Sequence, residues 1–406
     1  MSGLSKKQIR KIMKEYNLVK GEDIQSALKD MFKDVLQEML EAELETELGY
    51  TKHDEKNKET DNTRNGYSKK KINSEYGELE INIPRDRKNE YDPIAVEKYK
   101  KDLTGISKQV IKLYARGMSH RDIYKHMKDL YGVKINKDKI TQITNKIIPK
   151  IKEWQNRPLS EMYPVVFFDA MFFNVKHEGR IIKKPVYIAL GVNKSGYKEI
   201  LGMWIGPENE SSKYWLKILN ELKHRGLKDI LIAAIDGLSG FSNAVNTAYP
   251  KTEVQSCIIH QIRNSTKYVS RKDLKEFTTD MKKIYRASSL ELAEKNLKIF
   301  SDKWQEKYGY AVDSWNNNWA ELSEFFNYSA KIRKLIYTTN PIEGYNRQIR
   351  KYTKSKSVFP SDMALMKQLF LIMEKVTESW TKRRKNWGLI LNELEIYFGK
   401  RVSKFL

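Results

Sequence analysis

Residues 164–270 admit few folds. "PVVFFDAMFFNVK" and "KKPVYIALGV" read as strands, and "YKEILGMWIG" reads as a third. "SSKYWLKILNELKHRG" then carries helical spacing, "KDILIAAID" returns to a strand, and "EVQSCII" supplies a fifth before another helix. The order βββαβαβα describes three strands that can meander, followed by strands that return through helices. It predicts an α/β fold built on a mixed sheet, with helices available to cover it. Residues 271–330 lose the strand signal but keep helical spacing, with Trp304, Trp315 and Trp319 among many Lys and Glu. A helical insertion over 271–330 is therefore expected to interrupt a sheet domain formed by 160–270 and 331–360, with C-terminal helices over 361–406. Tryptophans at this spacing more often hold a helical core together than meet a ligand, and at least two of the three are expected inside.

Upstream, "DIQSALKDMFKDVLQEMLEAELETEL" repeats Ile24, Leu28, Phe32, Val35, Leu36, Met39, Leu40, Leu44 and Leu48 at the spacing of one helix face. This acidic helix suits a protein surface better than a polyanion, so the region 1–50 is expected to supply a dimer interface, an ordinary intradomain helix being the alternative. Residues 51–103 combine a polar, linker-like stretch with "ELEINIP", whose alternation predicts a small β-hairpin. Residues 104–155 read as three helices, with Ser107 and Ser119 as N-caps and Gly117 and Gly132 at helix ends. Val110, Leu113, Tyr114, Ile123, Met127, Leu130, Ile140, Ile143 and Ile147 would share a core in helix-turn-helix fashion. The third helix then presents Lys137, Lys139, Thr141, Gln142, Thr144, Asn145 and Lys146, amides and hydroxyls for base edges and lysines for phosphate. The alternative is a plain packing unit with a solvated basic face.

Composition narrows the partners. A chain of 406 residues is longer than one core usually supports, so two or three domains are expected. A formal charge of +23, an isoelectric point near 9.6, 23 tyrosines and 8 tryptophans make nucleic acid the leading partner. The apolar runs are too short to span a bilayer and the N-terminus lacks a signal-peptide core, which points to the cytoplasm and away from membranes. One cysteine and six scattered histidines exclude an intrachain disulfide and a thiolate-rich zinc site, so any metal would be held by oxygen.

Three acids stand out. Asp169 lies inside "VVFFDAMFF", where an uncompensated carboxylate costs several kcal/mol (roughly). Asp236 ends "ILIAAID", the carboxyl end of a strand, where open α/β sheets place their sites. Glu343 is the single carboxylate over residues 331–356, beside eight Lys or Arg. Two aspartates on neighbouring strands and a glutamate on a following helix can hold two hard divalent cations, roughly 4 Å apart, that clamp an in-line phosphoryl displacement. On a helix beginning near Pro341, Asn346, Arg347 and Arg350 share or border the Glu343 face and would meet the substrate. Each acid also has a plain structural reading, as a helix cap, a partner for a basic neighbour or an incidental surface charge.

"FDAMFF", "YIALGVNKSGYKEILGMWIGPENES", "AAIDGLSGF", "CIIHQIRNS" and "IYTTNPIEGYNRQIRKYTKSKSVFP" resemble the mutator-type DDE transposases of bacterial insertion sequences. The likeness is close over residues 160–390 and looser toward the N-terminus. It implies a ribonuclease-H-like mixed-sheet catalytic core interrupted by an all-helical insertion and preceded by a mainly helical DNA-binding region. By motif, Asp169, Asp236 and Glu343 become the catalytic, metal-binding triad, with two Mg²⁺ ions expected and Mn²⁺ as a substitute. Arg350 takes the cationic position seven residues after the glutamate. Arg347, Arg350 and Lys351 would contact phosphates and Asn346 would position DNA. Lys139, Gln142, Asn145 and Lys146 would bind double-stranded DNA at terminal inverted repeats. Cys257 and His260 match the family's Cys-x-x-His pattern; His260 either orients a phosphate or carboxylate, or is a polar group at a helix start beside a core cysteine. The implied activity is metal-dependent strand cleavage and strand transfer by a homodimer or larger synaptic complex on the nucleoid and on target DNA. A structure-specific nuclease and a non-catalytic DNA-binding relic are the alternatives.

Overall fold

Residues 6–52, 60–74, 76–96, 106–131, 135–336 and 340–404 are described by a computed structural model of the chain. The chain divides into two units, Met1–Lys146 and Ile147–Leu406. The division falls inside the stretch expected as one 104–155 domain, because the helix after residue 147 packs on the sheet of the second unit.

The first unit opens with α1 (Lys6–Glu15) and the long α2 (Gly21–Leu48). Asp23 starts α2 by accepting from the backbone N–H of Lys20 at 2.6 Å and of Val19 at 2.9 Å, and Gly49 ends it at φ 72°. β1 (Arg64–Ser74) and β2 (Gly77–Asp86) form the expected antiparallel hairpin. Leu79, Ile81 and Ile83 of β2 alternate inward to meet Leu36 and Leu40 of α2, while Leu44 and Leu48 pack with Tyr50 and Tyr91. The single apolar face read for α2 is in fact two stripes. Residues 36, 40, 44 and 48 are buried within the unit, and Ile24, Leu28, Val35 and Met39 remain exposed on another side.

α3 (Ile106–Ala115), α4 (His120–Tyr131) and α5 (Lys137–Asn145) follow. Their shared core contains Val110, Leu113, Tyr114, Ile123, Met127, Ile140 and Ile143, as the spacing predicts. Ser119 and Asp122 cap α4 reciprocally, each side chain accepting from the other's backbone N–H at 3.2 Å. Gly117 ends α3 at φ 91°, whereas Gly132 lies outside the described residues. Two expectations are corrected: Ser107 sits inside the first turn of α3 rather than before it, and Thr144 is buried rather than presented.

The second unit realises the predicted element order. After α6 (Ile148–Asn156) come β3 (Met162–His177), β4 (Arg180–Val192), β5 (Lys198–Ile205), α7 (Ser212–His224), β6 (Asp229–Ile235), α8 (Phe241–Ala248), β7 (Glu253–Ser256) and α9 (Ile258–Thr266). The five strands lie in the order β5-β4-β3-β6-β7. β4 runs antiparallel to both β3 and β5, and β6 and β7 run parallel to β3. Strands β3, β5, β6 and β7 therefore all point the same way, and their carboxyl ends share one edge. α7 and α8 cover one face with a core centred on Phe168, Tyr187, Trp215, Ile218, Leu219 and Phe241.

Helices alone fill the next stretch: α10 (Leu274–Tyr285), α11 (Leu290–Asn317, kinked at Tyr308), α12 (Trp319–Ser323), a short 3-10 turn and α13 (Ala330–Ile336). Trp304 and Trp315 are buried, with indole N–H groups donating to Asp280 at 3.2 Å and Ser265 at 3.0 Å. α14 (Asn340–Thr353), α15 (Asp362–Thr377), α16 (Trp387–Phe398) and α17 (Lys400–Ser403) complete the unit. α14 lies on β3 and against α15, burying Ile342, Tyr345 and Ile349. Among the described residues no helix is long and apolar enough to cross a membrane.

Candidate active site

Strand parity creates the first half of the site. Phe168 points into the core under α7 and α8, so Asp169 points to the other face, where α14 lies. Phe167 pairs with Ala234 across the parallel β3–β6 ladder, and two residues further along both chains stand Asp169 and Asp236. The two aspartates are thus brought level by the register itself. Asp169 is 7% exposed; its Oδ1 accepts from the Ala170 backbone N–H at 2.8 Å and its Oδ2 accepts from the Asn346 side-chain amide of α14. Asp236 follows the last residue of β6, and its Oδ1 is buried with no hydrogen-bond partner among the described residues.

The second half comes from α9 and α14. The Cys257 backbone N–H donates to the Ile235 carbonyl at 2.8 Å, which fixes the start of α9 beside Asp236. One turn on, His260 Nε2 lies 3.9 Å from Glu343 Oε1, and Arg263 Nη1 meets the same oxygen at 2.9 Å. Glu343 occupies the first turn of α14, where the positive end of the helix favours an acid.

Burial, the Asp236 charge and, more weakly, Glu343 push the Asp169 carboxyl up to about 6. Burial also raises Asp236. The adjoining Cys257 side chain and the two aspartates push His260 up to about 9, so the ring is cationic at neutral pH. The expected triad is therefore partly assembled. Asp169 and Asp236 come together, Glu343 turns to Arg263, and among the described residues no three His, Cys, Asp or Glu side chains are gathered tightly enough to hold an ion.

Around this centre Arg347, Arg350 and Lys351 are exposed on α14, as expected. Asn346 is not: it is 4% exposed, and its side-chain amide donates to Asp169. Lys139, Gln142, Asn145 and Lys146 are exposed at and just past α5, in the other unit. Cys257 is buried, and His260, in the first turn of α9, faces the acids.

Sequence reasoning missed Glu210. It stands in the loop between β5 and α7, accepts from the Trp215 indole N–H at 3.0 Å, and is pushed up to about 7 by burial, then by Asp236 and, less, by Asp169. The signal was available in outline, since β5 ends at the same sheet edge as β6.

The family of transposases described as "Transposase, Mutator family" matches residues 4–383. A probable transposase for insertion sequence element ISRM3-like from Sinorhizobium fredii is 40% identical over 341 residues, 84% of this chain and 85% of that protein. The transposase for insertion sequence element ISRM3 of Rhizobium meliloti is also 40% identical over 341 residues, again 84% of this chain and 85% of its own. The transposase for insertion sequence element IS256 in transposon Tn4001 of Staphylococcus aureus is 28% identical over 320 residues, 78% of this chain and 82% of its own. Among solved structures, the Drosophila P element transposase strand transfer complex aligns over 72% of this chain and 86% of that one at 11% identity and a TM-score of 0.29, too distant to argue from. With the family match spanning nearly the whole sequence, this chain belongs to the Mutator family of transposases.

Proposed function

We propose that this transposase binds the terminal inverted repeats of an insertion sequence, cleaves DNA there and transfers the strand. Asp169, Asp236 and Glu343 are its acidic triad on a ribonuclease-H-like core, and the helices of residues 271–330 are an insertion into that core. The observation that carries the reading is the buried Asp169–Asp236 pair, level on β3 and β6, with Glu343 approaching on α14. Two carboxylates held side by side away from water repel one another, and a bound cation would offset that cost.

The donor set fits a hard divalent ion. It is all oxygen, and the orphaned Asp236 Oδ1 offers a lone pair that nothing else among the described residues takes up. Asp169, Asp236 and Glu343 would hold Mg²⁺, or Mn²⁺ in its place. Bound there, the ion supplies Lewis acidity, making water a better nucleophile and stabilising charge on the phosphate oxygens. The chain's own residues do the rest. Asn346 fixes the Asp169 carboxylate, and cationic His260 offsets the acids. Glu343 turning from Arg263 toward the aspartates frees that guanidinium to meet a phosphate. Arg347, Arg350 and Lys351 hold the DNA backbone. Hydrolysis at the element end exposes a 3′-hydroxyl; its oxygen then attacks a target phosphodiester in line, and the target's 3′-oxygen leaves. No bond to the protein forms.

Lys139, Gln142, Asn145 and Lys146, in helix-turn-helix fashion, contact the terminal repeats. Joining two ends calls for a homodimer or larger assembly, and the exposed α2 stripe is its interface. The test is cleavage and joining of a labelled duplex carrying the flanking repeat, with Mg²⁺, by wild type and Glu343→Gln. Wild type alone should nick and form joined products while both bind. Cut DNA without joined product would instead show a nuclease, and equal binding without cutting by either would reduce the protein to a DNA-binding relic.

A further inference from the structure

We infer that Glu210 is a fourth acidic residue of the active site, binding the divalent cation together with Asp236; the inference rests on the triad reading above. Three observations lead to it. Glu210 follows β5, and β5 and β6 run in the same direction, so the loop carrying Glu210 and the loop opening with Asp236 leave the sheet at one edge. The loop opening with Asp236 also reaches the helix that follows Glu210: a Cβ built on Gly240 would meet Ser212 Oγ, at the first residue of α7, at 3.2 Å.

The Glu210 side chain is held in place by a rigid support. Trp215 is wholly buried, stacked on Phe241 with ring centroids 4.4 Å apart and edge-on to Phe168 at 5.6 Å. Phe168 precedes Asp169 and Phe241 opens the helix after Asp236, so the indole that donates to Glu210 is fixed to both aspartate-bearing segments. One hydrogen bond from that indole ties the half-buried carboxylate to this support.

No lysine or arginine pairs with Glu210 among the described residues, and its recorded donor is a neutral indole. Offset only by His260, which it shares with two further acids, it supplies oxygen to the same site whose Asp236 Oδ1 has no partner among the described residues. The plain alternative is an acid placed before a helix to complement its N-terminus, a role that needs no neighbouring aspartates.

The experiment is a Mn²⁺ titration of the full-length protein without DNA, following free Mn²⁺ by its paramagnetic resonance signal, for wild type, Asp236→Asn, Glu210→Gln and Glu210→Asp. Glu210→Gln should weaken Mn²⁺ binding roughly tenfold, as loss of a supporting ligand does. Glu210→Asp, which keeps the charge, should recover part of it. Thermal melts in chelator check folding, and Glu210→Gln should melt no lower than wild type because it removes a repulsive charge. Loss of binding in Asp236→Asn with none in Glu210→Gln overturns the inference and leaves the triad standing. If no variant alters Mn²⁺ binding, the metal-site reading fails and the inference fails with it.

Discussion

At pH 8 with a chelator present, Asp169→Asn should make this protein more stable. Burial and the Asp236 charge hold the Asp169 carboxyl up to about 6, against an ordinary 3.8. A folded-state pKa above the unfolded one means that the native state binds the proton more tightly. Stability is then greatest at low pH, falls as pH rises from about 4 to 6, and above that range the ionised group costs about 3 kcal/mol. Asparagine carries no charge but has one oxygen where aspartate has two. One of the hydrogen bonds now received from Ala170 and Asn346 is lost, at a cost of about 1 kcal/mol. The net gain is about 2 kcal/mol, which in a unit of this size raises the melting temperature by roughly 4–8 °C. At pH 5 the wild-type carboxyl is mostly protonated when folded, and the advantage shrinks by about 1 kcal/mol. Melting curves at pH 8 and pH 5, followed by circular dichroism in EDTA, measure both quantities. A variant that melts below wild type at pH 8, or a difference that ignores pH, would refute the claim that the acids are held together against their own repulsion.

Asn346→Ala removes the amide that fixes Asp169 and should lower strand joining roughly tenfold or more, the worth of a hydrogen bond to a charged group, while duplex affinity stays within about twofold. A parallel loss of affinity in gel-shift assays would return Asn346 to the DNA surface. Arg347→Ala and Arg350→Ala should each reduce the slope of log affinity against log salt by about 0.9, the signature of one lost phosphate contact. An unchanged slope would place those side chains away from the backbone. Trp315→Ala should destabilise the helical stretch by about 3–5 kcal/mol in denaturant titrations without changing the number of DNA phosphates contacted; a change in salt slope would argue for a DNA-facing tryptophan.

Alternation and apolar run length revealed the strands of the second unit because both report directly on burial. The aspartates stood out for the same reason: a carboxylate within or at the end of an apolar strand needs a donor or a cation to compensate its burial. Helical spacing proved a weaker guide. It shows which residues share a side but not which side meets the sheet, and so Asn346 and Thr144 were assigned to solvent when packing puts both inside. The nine apolar positions of α2 are too many for one stripe. Side chains four apart drift around a 3.6-residue turn, and the surplus emerges as a second surface. Glu210 and the Arg263–Glu343 pair depend on contacts between distant segments; the latter joins residues 80 positions apart, a relation no local pattern encodes.

The bond from Asn346 to Asp169 closes a loop of 177 positions. During translation at ~5–20 residues per second, the ribosome needs roughly 9–35 s to travel from one partner to the other. From the moment β6 and Asp236 are made, the first unit and both aspartates exist, but Glu343 on α14 is still missing. A nascent chain, or one cut short by a stop codon before α14, thus carries the basic helices of the first unit but lacks Glu343 and Asn346. The order of the chain thus places the basic helices of the first unit before the acids in translation, and on the function proposed above the triad is complete only once the last sixth of the message is being read.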